Sequence, residues 1–483
     1  MNGMEGRDID TADARLRVAI NADSLEFLSI FLHYNLNLDS MDINGAPVEY
    51  WRRKDFPFIG VILPKHFYKG DTLDVRMWYH GNRYRSALPW VENPAPSTWS
   101  LTFNVPTGFN YAMPGVDSVG APSRGRETFT VNPQQPYRDF LFLSYASGYD
   151  TVQTMSDVGI TLHFLQTDAL NKNRFNCFVP SDMYQNTILA AFNYDCAQIG
   201  TPPNVFDLML YPQPGAYMSM PGVQAIPQVH CIISQTGGFQ LVAGRGIGQQ
   251  YFGALLRPRS DRDAWLTMGA SEYLGLLYVD QSLKNGEFYT ELLHRRTFID
   301  SAMINDRDLP LACGTRVDDS LKSYKGAWLL HMLRILMFDV DHNTDAEFWK
   351  FLRELALTCN FKTYTNADII KLAEKYYGKP LDWFFGHWLY GRNFPSYKVE
   401  YSIVPKDSQF VIQATVATSG VEPGFSMPML MGVENAAGQR QLFRETIAGP
   451  QTSFELGPFM QKPQSMTFNA GLGVLCNEDV KQK

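Results

Sequence analysis

The run Leu241–Tyr278, LVAGRGIGQQYFGALLRPRSDRDAWLTMGASEYLGLLY, reads as two helix-like apolar segments joined by a basic, proline-containing connection. Gly244, Gly246 and Gly248 stand at alternate positions of the first segment. A glycine inside a helix costs about 1 kcal/mol relative to alanine. Three together imply either a loosened helix or a backbone packed close against a neighbour. The same GRGIG also resembles a phosphate-binding glycine loop, but Gln249 stands where the third glycine of G-x-G-x-x-G belongs and no phosphate-binding lysine follows. In the connection, LRPRSDRD from Leu256 to Asp263 has nearly cancelling charges and reads as a surface link.

Downstream of this run the pattern stays helical. SYKGAWLLHMLRILMF repeats its apolar residues at three- and four-residue steps. TDAEFWKFLRELALTC opens at a capping Thr344 or Asp345, TNADIIKLAEKYYG opens at Thr365 or Asn366 and stops at Gly378, and PLDWFFGHWLYG closes at Gly391. His331, His230 and His387 sit in apolar surroundings and read as hydrogen-bonded core histidines. DVDHNTDAE from Asp339 has acidic spacing but lacks the central glycine and final glutamate of a calcium loop.

Upstream and further downstream the period changes from helical to two. Runs such as ARLRVAI, TLDVRMWYHG and ETFTVN, separated by turn material, predict a mostly antiparallel β-domain with one buried face. After residue 395, QFVIQATVATSG, SMPMLMGVE and QRQLFRETIAG predict a β-sandwich. The expected organisation is therefore an α+β chain of three domains, residues 1–152, 153–395 and 396–483.

With 483 residues, 45% of them apolar, the chain is long enough for several cores. Its net charge of −7, with scattered basic residues, leaves no electrostatic footprint for nucleic acid. The six cysteines at 177, 196, 231, 313, 359 and 476 contain no C-x-x-C pair and read as buried free thiols. No apolar run reaches the roughly 18 residues a membrane span needs, and the N-terminus lacks the plan of a signal peptide. The expectation is a soluble chain, cytoplasmic or periplasmic, although a fragment of a longer or membrane-associated protein would read the same way.

Two motifs carry a family resemblance: K-G-A-W at Lys325–Trp328 and the run LDWFFGHWLYG at Leu381–Gly391, followed by a proline and a strand. With the order of the surrounding parts, they make the chain resemble the zinc aminopeptidases of the aminopeptidase N type, the gluzincins. The resemblance implies an N-terminal β-domain, a thermolysin-like, mainly helical gluzincin domain and a C-terminal immunoglobulin-like sandwich, so it covers nearly the whole chain.

That family carries H-E-x-x-H, then a third zinc ligand just after W-L-N. Phe252–Gly253 and Trp265–Leu266 set the register here, which puts Arg245 and Gln249 at the histidine positions, Gly246 at the general base and Met268 at the third ligand. The spacing survives, since 268 − 249 = 19, while the chemistry does not. Arginine is a permanent cation, glycine has no side chain, glutamine is a poor zinc ligand and a thioether prefers softer metals. Ser323 stands at the family's catalytic tyrosine, and its neighbour Tyr324 points about 100° away on a helix. MPGVQAIPQVH, where the family grips the substrate's amino terminus, offers no carboxylate.

The resemblance therefore implies an aminopeptidase-like pseudoenzyme with no metal and no cofactor. Arg245 needs a partner if buried, and Glu272, one turn beyond Met268, is the expected one. The expected role is a structural or protein-binding subunit of a larger assembly, with other protein subunits or peptides as partners and no nucleic acid. The alternative is a metal-independent hydrolase using Ser323 or Ser271, although neither lies in a G-x-S-x-G elbow.

Overall fold

Alternation at the start of the chain folds into two antiparallel four-stranded sheets. One has the order Asp8–Ala19, Thr72–Asn82, Leu36–Ile43, Ala46–Pro47; the other has the order Tyr50–Arg52, Phe58–Phe67, Leu25–Phe31, Trp90–Val91. Met41, Leu73, Val75 and Met77 of the first sheet share one buried apolar cluster with Leu28, Ile30, Ile59 and Val61 of the second. Phe27 and Ile62 point to the opposite face and stay exposed, as a period of two requires. The computed structural model describes residues 8–54, 57–82, 90–91, 101–107, 109–112, 116–123, 125–131, 143–146, 149–167, 181–202, 207–213, 218–220, 223–227, 237–305, 307–358 and 363–483. His230, Cys177, Cys231 and Cys359 lie outside these residues, as does part of MPGVQAIPQVH.

A five-stranded mixed sheet leads into the helical middle, in the order Tyr149–Met155, Thr161–Thr167, Asp207–Gln213, Val223–Pro227, Met218–Met220. The division expected after residue 152 falls inside the first of these strands. Tyr149–Met155 pairs along its whole length with Thr161–Thr167, so its hydrogen bonds tie it to the sheet downstream. The division after residue 395 coincides with the start of strand Ser396–Lys406.

The helices are α1 (Ser181–Ile199), α2 (Gly238–Gln249), α3 (Trp265–Leu283), α4 (Glu287–Ile304), α5 (Asp319–Met337), α6 (Ala346–Thr358), α7 (Asn366–Tyr377) and α8 (Asp382–Trp388). Local chemistry marks their ends. Asp318 caps α5 by accepting from Ser320 N at 2.8 Å; Thr365 and Asp368 form a capping box on α7, and Gly378 ends that helix at φ 79°. α2 runs directly into a π-helical turn over Gln250–Leu255, a form that is uncommon outside single turns.

The glycines of the opening run serve close packing. A Cβ on Gly244 would lie 3.0 Å from Gly275 Cα, and one on Gly248 would lie 3.2 Å from Leu274 Cβ, both on α3. On the other side of α3, a Cβ on Gly269 would lie 2.7 Å from Gly326 Cα of α5. Helices α2, α3 and α5 thus meet backbone to backbone, and the conformational cost of these glycines is offset by contact that no larger residue permits. In the K-G-A-W segment, Lys325 is buried with Asp308, its Nζ 3.0 and 3.1 Å from the two carboxylate oxygens.

The C-terminal region forms a four-stranded sheet, Gln451–Phe459, Gln409–Ser419, Ser396–Lys406, Asn477–Gln482, and a three-stranded one, Arg440–Ala448, Ser426–Glu434, Ser465–Thr467. Their buried residues join the helical core in one continuous cluster. Polar contacts hold the two regions together. Arg444 donates to the carbonyls of Ile335, Leu336 and Phe338 at 2.8, 3.1 and 2.7 Å, satisfying the orphan C-terminal carbonyls of α5. His331 reaches across with Nε2 2.9 Å from Gly471 O.

Among the described residues Cys196 and Cys476 are buried free thiols and Cys313 is half-buried. Among the described residues no helix is long and apolar enough to cross a membrane.

Candidate functional site

The antiparallel contact of α2 with α3 decides which side chains meet. Arg245 and Gln249 are one turn apart on α2, and Met268 and Glu272 are one turn apart on α3. Gly246 is buried, whereas Arg245, Gln249 and Met268 are half-buried. Arg245 Nη1 lies 2.7 Å from Glu272 Oε2, and the Glu272 side chain is fully buried. Ser323 of α5 donates its hydroxyl to the same oxygen at 3.1 Å. Residues separated by 27, 51 and 78 positions therefore converge on one carboxylate, while Met268 lies one helical turn from Glu272 and Gln249 one turn from Arg245.

Arg295, on α4, completes the cluster. It donates to Glu272 Oε1 from Nε at 2.9 Å and from Nη2 at 2.8 Å. It also pairs with Glu291, four residues earlier on its own helix, and lies over the Tyr324 ring at 5.4 Å from the centroid. Arg295 was not legible as a site residue. A Glu291–Arg295 spacing of four looks like an exposed helical ion pair, yet both residues are buried. Four alternating charges thus meet in one cluster, and their formal sum is zero.

Burial acts to raise the pKa of Glu272, but the Arg245 and Arg295 guanidiniums and the Ser323 hydrogen bond outweigh it and hold the carboxyl below its usual range. It is an anion fully committed to cations. The two serines considered as nucleophiles are likewise engaged: Ser323 donates to Glu272, and Ser271 donates to Thr267 O at 2.8 Å. A carboxylate held down in this way is a weak base for a hydroxyl. His331, buried on α5, is bonded to Tyr273 OH at 3.0 Å through Nδ1 and to Gly471 O through Nε2. Burial lowers its pKa to about 4. His387 is buried too, with Nδ1 3.2 Å from Glu422 Oε1.

The side chains at this locus do not fit a zinc ion. A catalytic zinc ion needs nitrogen, thiolate or carboxylate donors and an open position. Here one position presents a guanidinium, one an amide and one a thioether, and the single carboxylate alongside is neutralised by two arginines. Among the described residues no group of three or more His, Cys, Asp and Glu is placed to hold a metal. Elsewhere, Asp339 of the acidic run accepts from the backbone of Asp341 and His342 at 3.0 Å each, and Asp345 pairs with Arg334.

No family model and no curated protein matches the sequence. The fold does match solved structures. Aminopeptidase A of Legionella pneumophila, in complex with aspartic acid, superposes with a TM-score of 0.70 at 12% identity, over 98% of this chain and 58% of that one. A mutant M1 zinc metallopeptidase of Deinococcus radiodurans, bound to a Tyr-Ser-Ala substrate, gives a TM-score of 0.60 at 17% identity, over 79% of this chain and 90% of its own. The architecture is that of the M1 zinc aminopeptidases, with an N-terminal β region, a helical middle and C-terminal sheets. The chain spans little more than half the length of the Legionella enzyme.

Proposed function

We propose that this chain is a catalytically inactive relative of the M1 aminopeptidases that acts as a structural or protein-binding subunit of a larger assembly. In this reading the helical middle is a thermolysin-like gluzincin body without its zinc site, and the C-terminal sheets are an immunoglobulin-like sandwich. The observation that carries it is the Arg245–Glu272 contact at 2.7 Å. By the register of the motifs, a guanidinium stands at a zinc-ligand position and is held there by a buried carboxylate. An ion pair in the metal's place supplies neither a Lewis acid nor a polarised water, the two contributions a peptidase of this type draws from zinc. Fold likeness by itself constrains function weakly, so the proposal leans on the side chains.

Two measurements test it. Elemental analysis of protein purified without chelator, run beside a panel of aminoacyl fluorogenic substrates, is expected to give well under stoichiometric zinc and no cleavage. Stoichiometric metal or turnover that survives repurification overturns the inactive reading. Mass measurement of the protein isolated from its native source is expected to find it in a particle heavier than the 54.8 kDa chain; a monomer there removes the subunit role.

A further inference from the structure

At the C-terminal end of α3 the structure contains a recess. A cavity of about 540 Å³ opens between the ends of α1, α3, α5 and α6, within the size range of small-ligand pockets. Its lining on α3 consists of Leu277, Asp280 and Gln281. Asp280 lies twelve residues beyond Met268 on the same helix, roughly 18 Å away at helical rise, so this is not the aminopeptidase-like locus.

The walls differ in charge. On α6, Lys350 and Arg353 face the cavity one turn apart; on α3, Asp280 and Gln281 face it from the other side. Lys350 Nζ makes an exposed pair with Glu347 at 2.7 Å, and Arg353 donates to Gln198 O at 2.8 Å at the end of α1. Both keep donors for an anion, since an ammonium carries three N–H groups and a guanidinium five. The Asp280 carboxylate makes no hydrogen bond or ion pair among the described residues. Between the walls, Tyr194 and Trp349 meet edge to face with centroids 6.3 Å apart, and Leu277 adds apolar surface. The Arg334–Asp345 pair closes one side with its charges mutually satisfied.

The geometry points to a binding site for a small zwitterion of short-peptide size, with its amine at Asp280, its carboxylate at Lys350 and Arg353, and an apolar or aromatic side chain on Trp349 and Tyr194. A simple anion leaves Asp280 repelled, and a simple cation leaves the α6 wall repelled. A molecule bearing both charges satisfies both walls.

The test is calorimetric titration of the full chain with the dipeptide Gly-Phe, its N-acetyl form and its C-terminal amide. We expect saturable binding near the millimolar range, with either blocked form about fivefold weaker, the worth of one exposed ion pair. In Asp280→Asn the penalty for N-acetylation disappears, and in Lys350→Gln the penalty for amidation shrinks. Both side chains are exposed, so neither variant disturbs the core. Absence of saturation, equal binding of the blocked forms, or penalties unchanged in both variants each overturns the proposal; the last outcome places the ligand elsewhere on the chain.

Discussion

Replacing Asp195 with asparagine should make the opening of α1 lose its pH dependence. Asp195 is fully buried, and neither carboxyl oxygen has a hydrogen-bond partner among the described residues. It lies in the layer where Cys196 packs with Ala243, Ile247 and Tyr278, and the titratable groups it acts on there, Tyr194, Cys196, Tyr251 and Tyr278, are all neutral at physiological pH. Burial raises its pKa well above the ordinary value. The sign follows from proton linkage: the folded state keeps a proton that the opened state releases once pH exceeds roughly 4. Stability from this site is therefore fully present below that value and lost as pH rises towards the folded pKa, at about 1.4 kcal/mol, or tenfold, per pH unit. The loss accumulates until the pH reaches the folded pKa, where the slope ends.

Asparagine has nearly the same shape and does not titrate, so Asp195→Asn removes this slope whatever constant offset its own unsatisfied amide introduces. Native-state amide exchange of α1, corrected for intrinsic rates, reads the effect directly and avoids treating a multidomain chain as two-state. The ratio of protection factors, variant over parent, should climb as pH rises above about 4 towards the folded pKa, by up to tenfold per pH unit. A ratio that stays flat would mean that Asp195 is ionised and solvated or partnered in the folded chain, and the reasoning would fail.

Three further outcomes follow from the packing and the charge cluster. Glu272→Gln leaves Arg295 buried without its main counter-charge and should lower stability by about 3–5 kcal/mol, seen as an early thermal transition; pairing it with Arg245→Gln and Arg295→Met should recover much of that loss. Gly269→Ala forces a methyl to 2.7 Å from the Gly326 backbone and should lower the melting temperature sharply, whereas Gly386→Ala, whose methyl meets nothing within 4 Å, should leave it within a degree or two. Installing Arg245→His, Gln249→His and Met268→Glu together should create stoichiometric zinc binding at neutral pH, measured by competition with a chromogenic chelator; failure in a folded variant would show that the assumed register of α2 against α3 is wrong.

The helices were legible wherever short-range chemistry decides them. Thr365 and Gly378 bound α7 through contacts within a few residues, whereas α5 starts at Asp319 behind the Asp318 cap, four residues before the helical run read from Ser323. Strand alternation likewise marked an N-terminal antiparallel β-domain with one buried face, and its division into two sheets came only with the fold. The boundary after residue 152 was not legible: which sheet a strand joins depends on its hydrogen-bond partner, and Thr161–Thr167 lies downstream. The glycines of the opening run stated that something unusual happens to α2. They did not state whether it was loosening or contact, since that depends on Gly275 and Leu274 arriving from another helix.

The candidate site divides along the same line. The sequence by itself determined the side-chain types at Arg245, Gln249 and Met268, which the family resemblance sets against the zinc ligands, and at Gly246, which it sets against the general base, so that none of the four offers a histidine or carboxylate. It also named Glu272 as a partner within reach of Arg245, because helical spacing puts it one turn from Met268. Only the tertiary structure decided that Arg295 and Glu291 enter from α4, that Ser323 spends its hydroxyl on the same carboxylate, and that a charged pocket forms between the ends of four helices. Periodicity constrains which residues share a face of one element. Charges on different helices meet only when packing of those faces fixes their separation to within a hydrogen bond, and that distance is a property of the folded core.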